Sequence, residues 1–295
     1  MIKTNEGHKC RLSDLKPGQL DSRILRKRFL SETNVEMEIY APLIAASAKP
    51  GQFIVICSKP EGERFPLTIS GTDKEKGSIS IIFQMVGRST IELGRMEEGE
   101  VIMSLVGPLG MPSEIENFGN CVVIGGGVGT AIAYPVAKAL KDAGNNVKVI
   151  IGARTESLFI LVNEMKAFAD EVILTTDDGS CGIHGVVTDP LKDLIEKGKV
   201  DRVVCIGPLP MMKAVSEFTK PYGVKTIASL DPIMIDGTGM CGGCRVTVDG
   251  KTKFACVDGP EFDAHLVDWN ELRARKSYYR EYEQEQKKIA LGGEK

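Results

Sequence analysis

The chain has little of several residue types that would assign it quickly to a protein class. It contains one tryptophan and three histidines. The histidines, His8, His184 and His265, are too dispersed to suggest a catalytic triad or a metal-binding face. A basic excess is also absent, because 37 Lys and Arg residues stand against 40 Asp and Glu residues. This balance argues against a dedicated nucleic-acid-binding protein.

Long apolar runs are missing as well. No stretch approaches the ~20 apolar residues of a membrane-spanning helix. The N-terminal segment MIKTNEGHKC has no apolar signal-peptide core. We therefore expect a cytoplasmic protein without a membrane span. Because that compartment keeps thiols reduced, the eight cysteines are expected to be free thiols or metal ligands and not a disulfide framework.

What is present divides the chain into successive modules. Positions 24–117 contain short apolar runs separated by turn residues, which predicts antiparallel strands in a small β-barrel. Positions 118–226 alternate strands with helical segments, which predicts an α/β domain with a parallel sheet. Positions 227–268 are rich in glycine and hold three cysteines. An N-terminal extension (1–23) and a charged helical tail (269–295) flank these modules.

Helices within the α/β part follow from apolar residues spaced three and four apart. They are expected at positions 130–144, 158–169, 190–197 and 210–218. The alternation of strands and helices is expected to stop near Lys225.

The most specific pattern is Asp236-x4-Cys241-x2-Cys244-x11-Cys256. Its spacing matches the C-x4-C-x2-C run with a distant fourth cysteine that holds a [2Fe–2S] cluster, with an aspartate in place of the first cysteine. Glycines among these residues allow the backbone to wrap closely around a cluster and point N–H groups at its sulfurs. A predicted β-hairpin turning at Asp249-Gly250 brings Cys256 back to the loop.

A zinc site is the alternative, since three cysteines and a carboxylate also suit zinc. The iron–sulfur interpretation is favoured because a tight glycine loop with one late cysteine differs from the two separated C-x2-C pairs of a zinc ribbon. The other cysteines are expected to be core or bystander residues: Cys10, Cys57, Cys121, Cys181 and Cys205.

A second glycine cluster lies between a predicted strand, CVVIGGG, and a helix. It consists of Gly125, Gly126, Gly127 and Gly129. Glycines at such a turn let the backbone approach a pyrophosphate, and the helix N-terminus supplies N–H donors. The motif ends in Thr130-Ala131 instead of a third glycine, so a tight packing turn is the alternative.

The residue that holds the adenine ribose should lie ~20 residues further on. Arg154 precedes any carboxylate there, and an arginine suits the 2′-phosphate of NADP. Asp177 and Asp178, at the end of the next strand, suit the ribose hydroxyls of NAD instead, with a solvated turn as the alternative. The choice between the two nucleotides stays open at this stage.

Two short motifs in the barrel segment suit an anion. Arg64 stands at the start of the strand FPLTI, and Gly87-Arg88-Ser89-Thr90 leads from a strand into a short helix. A glycine followed by Ser and Thr caps a helix well and also binds anions. Taken separately, a capped helix and a surface arginine explain them.

In this order the motifs resemble the ferredoxin–NADP reductase superfamily: R-x-P-L-T, G-R-S-T, GGGVG, GPLPMM and a cysteine loop. More narrowly, IMIDGTGMCGGCRVTVDG and KFACVDGPEFDAHLVDW are similar to the small, NAD-binding subunit of NADH-dependent ferredoxin:NADP oxidoreductase, the electron-bifurcating transhydrogenase. The resemblance extends from about Arg23 to Trp269. The electron-transfer subunit of dihydroorotate dehydrogenase has a similar layout with four cysteines, so Asp236 favours the transhydrogenase group.

The resemblance implies a cofactor site in each module. It implies an FAD site at Arg64, Pro66, Leu67, Thr68, Gly87, Arg88, Ser89 and Thr90. Within that site Thr68 lies near flavin N5 and is the catalytic candidate. It implies an NAD(H) site at Gly125, Gly126, Gly127, Gly129, Thr130, Arg154, Asp177, Gly207 and Pro208. It implies a [2Fe–2S] cluster held by Asp236, Cys241, Cys244 and Cys256.

The implied function is electron transfer between NAD(H), FAD and the cluster. The implied partner is a larger flavoprotein subunit with FAD and [4Fe–4S] clusters, with further redox subunits in the complex and ferredoxin reached only through it. Three other functions stay open. The first is the electron-transfer subunit of dihydroorotate dehydrogenase, and the second is a stand-alone diaphorase or sulfide dehydrogenase component. The third, from a different class, is a nucleotide-binding regulatory module with a structural zinc.

Overall fold

The structure is a computed structural model that describes residues 21–292 and two short strands near the N-terminus. These strands, β1 (Ile2–Lys3) and β2 (Lys9–Cys10), pair antiparallel. The rest of the predicted extension before position 21 lies outside the described residues. No helix in the described part is long and apolar enough to cross a bilayer.

The first module is a six-stranded antiparallel sheet with the strand order β3-β4-β7-β6-β5-β8. A bridge between Arg23 and Val101, just before β3 and β8, brings its two edges together. The strands are β3 (Ile24–Phe29), β4 (Asn34–Tyr40), β5 (Phe53–Cys57), β6 (Phe65–Asp73), β7 (Ser78–Gln84) and β8 (Ser104–Leu109). Two helices accompany them, α1 (Pro42–Ser47) and α2 (Arg88–Arg95).

Alternation of apolar and polar residues positions this sheet. In β4 the side chains of Val35, Met37 and Ile39 are fully buried, while Glu36 and Glu38 between them face outward. Successive residues of a strand point to opposite faces, so this pattern directs one face of the sheet to the core. The predicted antiparallel barrel module is therefore confirmed.

The second module is a seven-stranded sheet with the order β12-β11-β10-β9-β13-β14-β17. All its neighbouring strands run parallel except β14 and β17. The parallel strands are β9 (Asn120–Gly126), β10 (Asn146–Ala153), β11 (Glu171–Thr176), β12 (Ile183–His184), β13 (Arg202–Ile206) and β14 (Lys225–Ser229). The helices are α3 (Gly129–Asp142), α4 (Val162–Lys166), α5 (Thr188–Lys197) and α6 (Leu209–Thr219).

The helix expected at 158–169 is wrong in its extent. Only α4 is α-helical there, and it follows a short 3₁₀ turn at Glu156–Leu158. The neighbouring side chains of Ile160 and Leu161 are both buried in one cluster with Ile82 of the barrel. Leu161 has a φ of 57°, a left-handed conformation that an α-helix does not allow, so the helix begins only after this residue.

The strand–helix alternation also continues further than expected, because β14 adds a parallel strand after position 225. It crosses the predicted module boundary at 226/227. The third module then begins with a hairpin of β15 (Arg245–Val248) and β16 (Lys251–Phe254). Asp249 and Gly250 form its turn with φ values of 51° and 66°, which confirms the predicted turn position.

A later strand of this module, β17 (Glu261–Asp263), joins the parallel sheet beside β14. The cysteine segment is therefore attached to the second module by main-chain hydrogen bonds. The exact division of the chain into domains stays a prediction.

The C-terminal tail forms two helices, α7 (Trp269–Ser277) and α8 (Arg280–Ala290). Asp268 caps α7 by accepting hydrogen bonds from the backbone N–H groups of Asn270 and Glu271. Trp269 and Leu272 are buried against the second module. The helix α8 packs along α2 of the barrel. The tail thus connects two modules and is not a single solvated helix.

Replacement of Phe83 should destabilise the barrel. Phe83 is fully buried in the core of the first sheet. We expect Phe83→Ala to lower the free energy of unfolding by ~3–5 kcal/mol, because it removes packed surface and leaves a cavity. Urea denaturation followed by circular dichroism measures the change. Phe29→Ala, at an exposed position of β3, is the control, and equal losses in the two variants contradict the core assignment.

Candidate functional site

A cleft of about 680 Å³ lies between the first two modules. Its walls come from the loops at the carboxyl ends of β9, β10, β11, β13 and β14, together with Asn34 and Gln84 of the barrel. In the sheet, β10, β11 and β12 follow on one side of β9, and β13 and β14 lie on its other side. The strand order therefore reverses between β9 and β13. Ligands of open parallel sheets bind at such a reversal.

The glycines after β9 have two different roles. A Cβ on Gly125 would lie 2.7 Å from Cα of Thr130, and one on Gly129 would overlap the carbonyl oxygen of Ile206. Gly126 is similarly covered by Met211. Gly125 thus lets the turn fold onto the start of α3, and Gly126 and Gly129 let it pack against the segment after β13, as the alternative interpretation expects. Gly127 differs, because its φ is +55° and a Cβ there would meet nothing within 4 Å, so it borders open space in the cleft.

Two buried polar atoms in the cleft wall have no hydrogen-bond partner among the described residues. They are Oδ1 of Asn34 and Oγ1 of Thr175. A third, Oγ1 of Thr130, lies behind Gly125 at the start of α3. Buried polar groups without partners are rare in folded proteins. A largely apolar cleft with a few such atoms and a glycine turn at a helix start therefore fits a dinucleotide.

The remaining residues predicted to bind NAD(H) also border this cleft. Gly207 and Pro208 follow β13 and face the glycine turn. Arg154 and Asp177 follow β10 and β11, and both line the cleft. Neither side chain forms an ion pair with another residue in the described part of the chain. The cleft can therefore offer either a cation or a carboxylate to the ribose.

The predicted flavin residues lie on the barrel, outside the lining of this cleft. On β6 the side chains of Phe65 and Leu67 pack toward the barrel core. Pro66 and Thr68 alternate with them and face the other side. Helix α3 packs against β6, so this outer face lies beside the second module. The Leu67 side chain is only partly buried, and its role in cofactor binding stays a prediction.

The turn before α2 is closed by a threonine hydroxyl. Oγ1 of Thr90 accepts hydrogen bonds from the N–H groups of Val86 and Gly87, both at 3.1 Å, and donates to the carbonyl of Gly87 at 3.0 Å. The N–H groups at the start of α2, including those of Arg88 and Ser89, have no helical partner and stand at the positive end of the helix dipole.

An arginine is available beside this turn. Oε2 of Glu63 accepts a hydrogen bond of 2.9 Å from the Ser89 hydroxyl, which holds the segment before β6 next to α2. Arg64 follows Glu63, is exposed, and forms no hydrogen bond or ion pair with any described residue. Helix N–H groups and an unpaired guanidinium together fit a pyrophosphate.

The cysteine loop brings two predicted ligands into contact. The Sγ atoms of Cys244 and Cys256 lie 3.1 Å apart, and both residues are buried. Burial, followed by the hydrogen bond from Cys244, raises the pKa of the Cys256 thiol to about 12. Metal binding requires thiolates, so a bound metal must displace these protons.

Asp236 is oriented by the same loop. Its two carboxylate oxygens accept hydrogen bonds of 2.8 Å from the N–H groups of Thr238 and Cys241. The bond from Thr238 is the largest of the effects that lower the pKa of Asp236. The carboxylate is therefore ionised at neutral pH, and the spare lone pairs of its oxygens can bind a metal.

The four predicted ligands lie in or beside the cysteine loop, but their side chains do not converge on one point. Within residues 21–292 and the two N-terminal strands, no three acidic, cysteine or histidine side chains are gathered as a metal ion requires. Cys241 is exposed, while its Sγ accepts a hydrogen bond from the N–H of Gly243 at 3.4 Å. Gly237, Gly239 and Gly242 all have positive φ, so the backbone wraps around this space. The donor set of three thiols and a carboxylate fits a cluster.

The loop also packs on the barrel. A Cβ on Gly237 would lie 2.6 Å from Leu109 and 3.0 Å from Val55. Phe53 of β5 belongs to one packed group with Cys244 and Cys256. Phe53 is also the register partner of Thr68 on β6. The strand β6, which carries the predicted flavin residues, and the cysteine loop are therefore separated by one strand, β5.

Several residues around the site carried no recognisable sequence signal. Asn34 sits after a Ser-Glu-Thr segment that resembles an ordinary turn, and Thr175 lies inside an apolar strand. Arg245 donates a hydrogen bond of 2.7 Å to the carbonyl of Gly242, and Arg275 of α7 donates one of 3.1 Å to the carbonyl of Gly243. Only the folded chain brings these side chains to the cleft and to the cysteine loop.

The other described cysteines agree with the expectation of core or bystander residues. Cys57, Cys121 and Cys205 are buried, and Cys181 is half-buried. Burial raises the pKa of Cys121 to about 11 and that of Cys205 to about 12, so both are inert thiols. The side chain of Cys10 lies outside the described residues.

Comparison with known proteins gives the same overall assignment. The iron–sulfur cluster binding domain of dihydroorotate dehydrogenase B matches residues 231–268. A Thermotoga maritima protein, the homologue of the electron transfer subunit of NAD(+)-dependent dihydroorotate dehydrogenase B, is 49% identical over 262 residues, which cover 89% of this chain and 93% of the relative. The corresponding electron transfer subunit of Caldanaerobacter subterraneus is 33% identical, with 82% and 98% covered.

Among solved structures, a chain of the NADH-dependent reduced ferredoxin-NADP oxidoreductase structure is similar to this protein. That structure was reported for insights into flavin-based electron bifurcation. The TM-score is 0.87 and the identity 47%, with 92% of this chain and 98% of that chain covered.

An antiparallel sheet before a parallel sheet, with an iron–sulfur domain at the C-terminal end, defines an electron-transfer protein of the ferredoxin–NADP reductase fold. The chain belongs to the family of dihydroorotate dehydrogenase B electron transfer subunits and their homologues. The expected fold class is confirmed. The expected cofactors, FAD, NAD(H) and an iron–sulfur cluster, are confirmed at the level of this family. The residues that hold them stay predictions.

Substitution of Gly127 should weaken NADH binding. We expect Gly127→Ala to lower the affinity for NADH about tenfold, because a methyl group at the cleft surface restricts approach to the turn. Titration of NADH against the purified chain measures the change. Gly223→Ala is the control, since Gly223 also has a positive φ and open space but does not line the cleft. Equal affinity losses in the two variants contradict the nucleotide site.

Proposed function

We propose that the chain is an electron-transfer flavoprotein subunit of the NADH-dependent ferredoxin:NADP oxidoreductase type. In this proposal hydride passes between NAD(H) and FAD, and single electrons pass through a [2Fe–2S] cluster to or from a larger flavoprotein. The similarity to the bifurcating enzyme supports the type of complex. The aspartate at position 236 supports the same choice.

One observation carries the proposal. Thr68 of β6, the residue assigned to flavin N5, pairs in register with Phe53 of β5. Phe53 packs with two of the proposed cluster ligands, Cys244 and Cys256. Directly paired residues of antiparallel strands lie ~5 Å apart. The proposed flavin and cluster sites are therefore joined by one strand and one layer of side chains.

In this proposal each of the three modules binds one redox group: the nicotinamide nucleotide, FAD or the cluster. The turn around Gly127 and the N-terminus of α3 hold the nucleotide pyrophosphate. The start of α2 and Arg64 hold the flavin pyrophosphate, and Pro66 and Thr68 border the ring. Bound FAD supplies the ability to take up electrons as a pair and release them singly. Asp236, Cys241, Cys244 and Cys256 hold the cluster, and the burial of Cys244 and Cys256 limits water access to it.

The surface around the cysteine loop suits a protein partner. Ile235, Met240 and Val257 are exposed apolar residues that flank proposed ligands in sequence, and Met240 is 89% exposed. Exposed apolar residues grouped at one place are typical of protein interfaces. We assign this surface to a larger flavoprotein subunit with FAD and [4Fe–4S] clusters, through which ferredoxin is reached.

Electron transfer to or from a dihydroorotate dehydrogenase is the second candidate function. The names of the relatives and of the matching iron–sulfur domain favour it. The two candidates share every cofactor of this chain and differ only in the partner. Co-purification from the native host separates them, because the partner enzyme then either oxidises dihydroorotate or reduces ferredoxin and NADP.

A visible spectrum and metal analysis of the purified chain test the cofactors. The proposal expects flavin bands with broad cluster absorption, and two iron atoms for each chain without stoichiometric zinc. NADH added without oxygen should bleach the flavin bands. Zinc without iron and flavin would instead support a regulatory module.

Removal of the Asp236 carboxylate should affect the cluster alone. We expect Asp236→Ala to lose the cluster absorption and retain FAD, because three thiols leave one iron position without a protein ligand. Asp236→Cys should retain a cluster with a shifted reduction potential, since a thiolate donates more electron density than a carboxylate. Asp231→Asn is the control, because the Asp231 carboxylate pairs with Lys276 at 2.6 Å at the start of the same segment. Unchanged absorption in Asp236→Ala excludes Asp236 as a ligand.

A further inference from the structure

The C-terminal helix carries a tyrosine to the turn at the start of α2. We propose that Tyr282 of α8 is the stacking platform for the adenine ring of FAD. This inference rests on the proposed function, because it requires the flavin pyrophosphate at α2. It adds a positioning residue from a part of the chain that lies beyond the cysteine module.

Two hydrogen bonds fix α8 on the barrel. Oε1 of Gln286 accepts a bond of 2.7 Å from Arg88, and the carbonyl of Ala290 accepts one of 2.8 Å from Arg95. Arg88 and Arg95 are the first and last residues of α2. The partners follow the same order along α8, so the two helices run in the same direction.

This direction places Tyr282 beyond the start of α2. Tyr282 precedes Gln286 by four residues, and residues with this spacing lie on the same face of a helix. The rise of 1.5 Å for each residue separates them by ~6 Å along the axis. Because Gln286 already contacts the side chain of Arg88, the first residue of α2, this spacing directs Tyr282 toward the turn formed by Gly87 and Thr90. The pKa of Arg88 is raised first by the hydrogen bond to Glu92 and to a smaller extent by nearby Tyr282, which agrees with this position.

The chemistry of this position suits a purine. Tyr282 is 52% exposed, and its ring stacks on no other aromatic ring among the described residues. In FAD the adenine is joined to the pyrophosphate through one ribose, so it must lie close to the pyrophosphate site. A half-exposed aromatic face there can stack on the base. The Arg88 side chain donates hydrogen bonds to Glu92 at 3.0 Å and to Gln286 at 2.7 Å, and it thereby holds α8 against the start of α2.

Comparison of FAD with FMN tests the platform, because FMN lacks the adenosine part. The full-length chain, freed of flavin, is titrated with each flavin and followed by flavin fluorescence. We expect Tyr282→Ala to weaken FAD about tenfold and leave FMN unchanged. Tyr282→Phe, which keeps the ring, should bind FAD like the wild type. Tyr278→Ala is the matched control, since Tyr278 is exposed and precedes α8.

The possible failures are distinguishable. Unchanged FAD affinity in Tyr282→Ala overturns the inference and leaves the proposed function intact. An equal loss of FAD and FMN affinity overturns it too, because the tyrosine then supports the barrel and not the adenine. A wild-type chain that binds neither flavin overturns the proposed function together with the inference.

Discussion

The packing of the cysteine loop against strand β5 is the contact on which the arrangement of the molecule depends. Phe53 of that strand packs with Cys244 and Cys256 on one side and pairs with Thr68 through the sheet. The loop can approach so closely because Gly237 has no side chain where it meets Val55 and Leu109. One layer of the barrel thus serves both the proposed flavin site and the proposed cluster site.

Two further connections hold the modules in this geometry. The strand β17 joins the end of the cysteine module to the parallel sheet, so the module cannot rotate without breaking main-chain hydrogen bonds. The tail then returns across the molecule. Arg275 of α7 donates a hydrogen bond to the cysteine loop, and α8 lies on α2 beside the turn proposed to bind flavin. The tail therefore connects the regions proposed to bind cluster and flavin. Its sequence pattern, that of a charged helix, did not indicate these contacts.

Local patterns predicted much of the fold. The alternation in β4, the hairpin turn at Asp249-Gly250 and the strand–turn–helix at Gly127 depend on neighbours along the chain, and all three are where the sequence places them. The helix expected at 158–169 failed because Leu161 adopts a left-handed backbone conformation where it and Ile160 pack with Ile82 of the barrel, a contact between modules. Periodicity reports a residue's neighbours on its own element and not the surface that the element meets.

The sequence by itself determined the class of chemistry, since the spacing of Asp236, Cys241, Cys244 and Cys256 and the glycine turns depend on residue type and local backbone alone. Only the tertiary structure decided which residues meet. It brought Asn34 of the barrel into the cleft proposed to hold the nucleotide, placed the cysteine loop one strand from Thr68, and positioned α8 beside α2. These contacts join residues far apart in sequence, and their geometry follows from how whole sheets and helices pack.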